Sequence, residues 1–131
     1  MTVLCDTSVI IDLLRGVQPA VAWARSLSGR PACSEVTRVE VLRGLRTQER
    51  RTTDRLFGTL SWIPVDETIA RRAGELGRAW RGSHRGIATA DLIIAASADV
   101  AGLGLATLNV KHFPMFAGLT APYEPSMIGR R

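Results

Sequence analysis

The chain has 131 residues, 46% hydrophobic and 22% charged, and this length and balance fit a single domain, 1–131, and exclude a wholly disordered chain. No apolar run reaches the ~18 residues that span a bilayer, and the amino terminus has an acid inside its apolar stretch and no basic lead, so neither a membrane span nor a signal peptide is expected and a cytoplasmic location is. Seventeen basic side chains, all arginine except Lys111, outnumber 12 acids to give +5, a surplus compatible with a nucleic-acid partner and equally with a genome that favours arginine.

In chain order, Met1–Cys5 is a β-rich run closed by Asp6-Thr7-Ser8, a helix-start signature. Val9–Arg15 reads as a helix that stops at Gly16, where a left-handed cap is expected. Pro19 opens a second short helix carrying Val21, Trp23 and Leu27, and Ala32–Ser34 is a brief second strand. Cys5 and Cys33, one in each strand, read as small buried thiols. Thr37–Arg46 is predicted helical with Val39, Leu42 and Leu45 on one apolar face, and a further helix is predicted over Arg51–Leu60. Trp62–Val65 is the third strand, and Asp66 caps a long helix in which Ile69, Ala73, Leu76 and Trp80 keep helical spacing. After a loop over Gly82–Gly86, Ala90–Ala101 is a strongly apolar helix ending at Gly102, and Gly104–Leu108 is the fourth strand. The tail from Pro114 leaves room for a short last strand.

Strands alternating with helices argue for βαβ units, hence an α/β fold with a mainly parallel sheet of four or five strands covered on both faces. Ligands of such sheets bind beyond the carboxyl ends of the strands, so functional residues are those that immediately follow strands. Asp6 follows the first strand, Glu40 lies in the first turn of the helix after the second, and Asp91 lies in the first turn of the helix before the fourth. Thr107, Asn109 and His112 follow the fourth strand. Oxygen donors in that number suit a hard cation, Mg²⁺ or Mn²⁺, which polarises a phosphoryl oxygen and activates water. Hydrolysis of a phosphodiester is the reaction these parts fit. Each acid also has a structural alternative. Asp6 is placed to cap a helix, Thr37-Arg38-Val39-Glu40 spells a capping box, and Asp91 at a helix amino terminus is favoured by the dipole. Asp12 is expected to face solvent or pair with Arg15, and no Cys or second His stands at zinc spacing from His84 or His112.

These segments resemble the motifs of the PIN-domain ribonucleases. Val3-Leu4-Cys5-Asp6-Thr7-Ser8 is similar to their opening, Ser34 through Gly44 to the second motif, Ala88-Thr89-Ala90-Asp91-Leu92-Ile93-Ile94-Ala95-Ala96 to the third, and Leu105 through Phe113 to the fourth. Their order, spacing and length resemble the VapC toxins of toxin–antitoxin pairs. The resemblance implies a three-layer α/β/α sandwich, Mg²⁺- or Mn²⁺-dependent endonucleolytic cleavage of RNA, a homodimer, and inhibition by a VapB antitoxin whose carboxyl-terminal segment enters the site. It puts Asp6, Glu40 and Asp91 at the metal, with Thr107 orienting a carboxylate or water. At the fourth position, where many members carry an acid, this chain offers Asn109 and His112. Arg15, Arg43 and Arg85 are candidates for gripping RNA phosphate. Two other functions fit the composition: an arginine-rich nucleic-acid-binding module without catalysis, and a phosphoacceptor signalling domain using Asp66 and Lys111.

Overall fold

The computed structural model describes residues 3–82 and 86–125. Strands β1 (Val3–Cys5), β2 (Ala32–Ser34), β3 (Ser61–Ile63) and β4 (Gly104–Ala106) pair in parallel in the order β3-β2-β1-β4. Successive side chains of a strand point to opposite faces. Leu4, Ala32 and Leu105 accordingly join one apolar cluster and Cys5, Cys33 and Ala106 the other. Helices α5 (Glu67–Trp80) and α6 (Thr89–Ala101) cover the first face with Ile69, Ala73, Leu76, Ile94 and Ala95. Helices α1 (Thr7–Leu14) and α4 (Arg50–Phe57) cover the second with Val9, Ile10 and Phe57. The result is the expected three-layer α/β/α sandwich, completed by α2 (Gln18–Arg25) and α3 (Glu35–Arg43). A Cβ at Gly77 would stand 3.1 Å from Leu92 Cδ1, so the glycine lets α5 lie close against α6. Gly16, at φ 68°, provides the left-handed residue expected after α1.

The strand order fixes where a site can form. The chain steps from β1 to β2 to β3 in one direction, then crosses back to lay β4 on the other side of β1. That reversal opens a crevice at the carboxyl ends of β1 and β4.

Four expectations are corrected. Helix α3 begins at Glu35, because Ser34 rather than Thr37 caps it: Ser34 Oγ accepts from Val36 N at 3.1 Å, and Thr37 is fully buried inside the helix. Val39 and Leu42, read as an apolar core face, are 62% and 45% exposed, while the helix turns Thr37 and Val41 inward. The tail adds no strand among the described residues. Asp12 does not face solvent; it is buried on α1 and accepts a 2.7 Å hydrogen bond from Tyr123 Oη, which ties the tail to α1. Trp23 of α2 packs against the same tyrosine with ring centroids 6.1 Å apart.

Tyr123→Phe removes one donor from this buried carboxylate while keeping the ring on Trp23. It is expected to cost about 1.5–3 kcal/mol, the range for a hydrogen bond to a charged group, read as a lower urea midpoint at unchanged slope.

Candidate active site

Asp6 closes β1 at the crevice. Its backbone N–H donates to Ala106 O at 2.8 Å, which continues the β1–β4 pairing by one step. Its carboxylate is 2% exposed and takes three donors: Thr7 N at 2.7 Å on Oδ1, with Ser8 Oγ at 2.9 Å and Thr107 Oγ1 at 2.6 Å on Oδ2. A buried carboxylate needs donors of this number to stay charged. Thr107 is itself fully buried, and its Oγ1 accepts from Asn109 N at 3.0 Å, shaping the turn after β4.

Glu40 reaches the crevice from the second turn of α3. Its Oε1 accepts from Thr7 Oγ1 at 2.6 Å, and Thr7 Oγ1 stands 2.9 Å from Thr37 Oγ1. A hydroxyl has one proton to give, so Thr37 donates to Thr7 and Thr7 to Glu40. The capping-box reading of Glu40 therefore falls: the glutamate faces the Asp6 segment rather than its own helix start. Thr7, Ser8 and Thr37 are the residues that sequence reasoning missed as parts of the site. Asp6-Thr7-Ser8 carried the signal, but a helix start explained those side chains without reference to a second element.

Asp91 comes from the first turn of α6, half-buried, with His112 Nδ1 3.2 Å from its Oδ2. Burial, then the negative charge of Asp6, push its carboxyl pKa up; Glu40 adds to the rise and His112 opposes it. Asp91 thus feels the charge of both other acids at the end of the sheet. Among the described residues, no three His, Cys, Asp or Glu side chains are drawn together into a ready metal cage. Asn109 is exposed at the rim, beside the single 3₁₀ turn Val110–His112.

The arginines divide. Arg43 is exposed one turn beyond Glu40 on α3. Arg15 is exposed at the far end of α1 from Asp6, roughly 13–14 Å along the helix. Arg85 lies outside the described residues. Asp66, the acceptor that a signalling domain would need, instead caps α5 through Ile69 N at 2.9 Å, beyond β3 at the sheet edge and away from Asp6. Behind the crevice, Cys5 and Cys33 sit in register on adjacent strands as free, buried thiols. Burial pushes both up, Cys33 to about 12, so they remain neutral.

The parallel sheet between two helical layers, with acids from three segments at its carboxyl end, defines an α/β domain with an acidic crevice. The family model of the PIN domain matches residues 3–117. Ribonuclease VapC10 of Mycobacterium tuberculosis is 47% identical over 123 residues, covering 92% of each chain. Ribonuclease VapC19 of the same species is 42% identical, covering 92% of this chain and 98% of its own. Among solved structures, a toxin–antitoxin complex from Klebsiella pneumoniae superposes with a TM-score of 0.79 at 31% identity, covering 95% of this chain and 100% of the matched one. The chain belongs to the PIN domain family and, within it, to the VapC group.

Asp91's raised pKa means that the folded state holds its proton more tightly than the unfolded chain. Its stabilising contribution is therefore full below the ordinary value of 3.8 and is lost as pH rises through the higher folded value. In EDTA, Asp91→Asn is expected to melt above wild type at neutral pH, with the gap closing below pH 3.8. Thermal melts across pH check this, and a variant melting lower at pH 7 contradicts it.

Proposed function

We propose that this chain is the toxin of a toxin–antitoxin pair, a cytoplasmic endoribonuclease that hydrolyses RNA phosphodiester bonds with Mg²⁺ or Mn²⁺ held at Asp6, Glu40 and Asp91. The observation that carries this reading is the meeting of Asp6 and Glu40 through Thr7, just after β1, at the point where the strand order reverses. The donor set suits the cation. All three acids offer hard oxygen, and Mg²⁺ takes one or two carboxylates, keeps several waters and accepts substrate phosphate in place of a closed protein cage. When bound, the cation supplies polarisation of a phosphoryl oxygen and makes water a better nucleophile.

The chain's own residues do the positioning. Thr107 and Ser8 hold Asp6 rigid, and the Thr37–Thr7 relay aims Glu40 toward it. Asn109 and Arg43 are exposed, and in this reading Asn109 donates to the substrate backbone and Arg43 meets a phosphate. Arg15, at the opposite end of α1 from Asp6, would meet a more distant phosphate of the same strand. Occlusion by a VapB antitoxin follows the same electrostatics: a basic side chain of its carboxyl-terminal segment pairs with the three acids in place of the cation. The exposed Val39 and Leu42, one turn apart on α3, are the face for a second copy of the chain.

Glu40→Gln and Asp91→Asn each remove charge at nearly constant shape, and in the first the amide oxygen still accepts from Thr7. Each is expected to lower Mg²⁺-dependent cleavage of RNA about 10²-fold or more, the scale of losing one preorganised electrostatic contact. Full activity of either purified variant overturns the assignment. For the dimer, Leu42→Asp is expected to halve the mass measured by light scattering without changing the melting temperature. A wild-type protein that is already monomeric removes the dimer face.

A further inference from the structure

We propose that His112 is a positioning residue, holding the Asp91 carboxylate in the orientation that receives the cation. This inference rests on the reading of Asp91 as a cation ligand.

The placement of His112 is built by its neighbours. On one side, buried Thr107 anchors the chain after β4 and takes the Asn109 N–H. On the other, Phe113 is 1% exposed in the cluster beneath α5 and α6. Between these anchors the 3₁₀ turn closes through His112 N to Asn109 O at 2.9 Å. Residues buried on both sides thus fix the backbone of an exposed histidine. Its ring stands over α6, with Nδ1 3.2 Å from Asp91 Oδ2; the two side chains are 57% and 18% exposed.

Asp91 has reason to need such a partner. Asp6 carries three donors and Glu40 the Thr7 hydroxyl. Asp91 meets the repulsion of both, and His112 is the group that opposes it. A donor on Oδ2 leaves Oδ1 for the cation and fixes the plane of the carboxylate. Loss of such an outer partner costs about 10–100-fold in metal affinity.

The test is Mn²⁺ binding to the purified, EDTA-stripped protein, read from the electron paramagnetic resonance signal of free Mn²⁺, without RNA or turnover. His112→Ala is expected to weaken Mn²⁺ binding about 10–100-fold. His112→Asn places an amide N–H where Nδ1 stands and is expected to restore binding close to wild type. His112→Gln carries its amide one bond too far and is expected to bind as weakly as the alanine variant. Wild-type binding in His112→Ala, or equal binding by the Asn and Gln variants, overturns the inference, and the Asn–Gln comparison decides it even where the alanine variant does not fold. Asp91→Asn separates the two levels. If it binds Mn²⁺ as wild type does, the ligand reading of Asp91 fails and this inference with it. If it loses binding while His112→Ala does not, only the role of His112 fails.

Discussion

The contact on which the rest of the structure depends is the pairing of Asp6 with the end of β4. Thr107 Oγ1 reaches Asp6 Oδ2 across 101 residues of sequence, and Asp6 N reaches Ala106 O beside it. Ser8 Oγ adds a third tie, donating to Asp6 and accepting from Leu108 N at 3.3 Å. Strands of three residues offer few ladder hydrogen bonds, so these side-chain ties carry much of what joins β1 to β4. The last rung of the sheet and the first acid of the site are one structure. The crevice therefore cannot form unless the crossover from β3 to β4 has closed.

What was legible in the sequence follows from which forces act locally. Alternating strand and helix patterns, the left-handed residue at Gly16 and the caps at Asp6 and Asp66 depend on near neighbours, and the chain folds as they indicate. The α/β/α layering was legible for the same reason, since Leu4 and Cys5 must serve opposite faces. The failures have two sources, a local competition for one cap and a contact remote in sequence. Thr37 looked like a cap because threonine three residues before glutamate often is one, yet Ser34 stands earlier and wins the position. Once α3 starts at Glu35, its rotation changes: Val41 turns inward and Val39 outward. The same orientation brings Glu40 onto Thr7, so the mistaken cap misplaced an apolar face while Glu40 still reaches the crevice. Asp12 failed differently. Nothing near it in sequence announces Tyr123, 111 residues away.

Electrostatics explains the plain wall behind the site. Three acids already repel at the crevice, and further negative charge there would raise that cost. Cys5 and Cys33 lie directly behind, and burial keeps both thiols protonated. They fill space without adding charge, and a neutral thiol is a poor nucleophile and metal ligand. Small, apolar and uncharged, they let β1 and β2 pass close together while leaving the carboxylates as the negative groups at the end of the sheet.

The site has a fixed half and an adjustable half. Asp6 and Thr107 are buried and bound into the sheet, so any change there alters the fold; the Asp6 carboxylate caps α1 with one oxygen and ties β4 with the other. Glu40 and Asp91 are half-buried, each steadied through its neighbours, Glu40 by a hydroxyl relay and Asp91 by an imidazole. Among the described residues no three such side chains form a closed cage, and the three carboxylates keep their separate ties. Movement is cheap for the two acids outside the sheet and costly for Asp6. Asp6 is therefore the fixed point of the crevice, and Glu40 and Asp91 are the carboxylates able to shift around it.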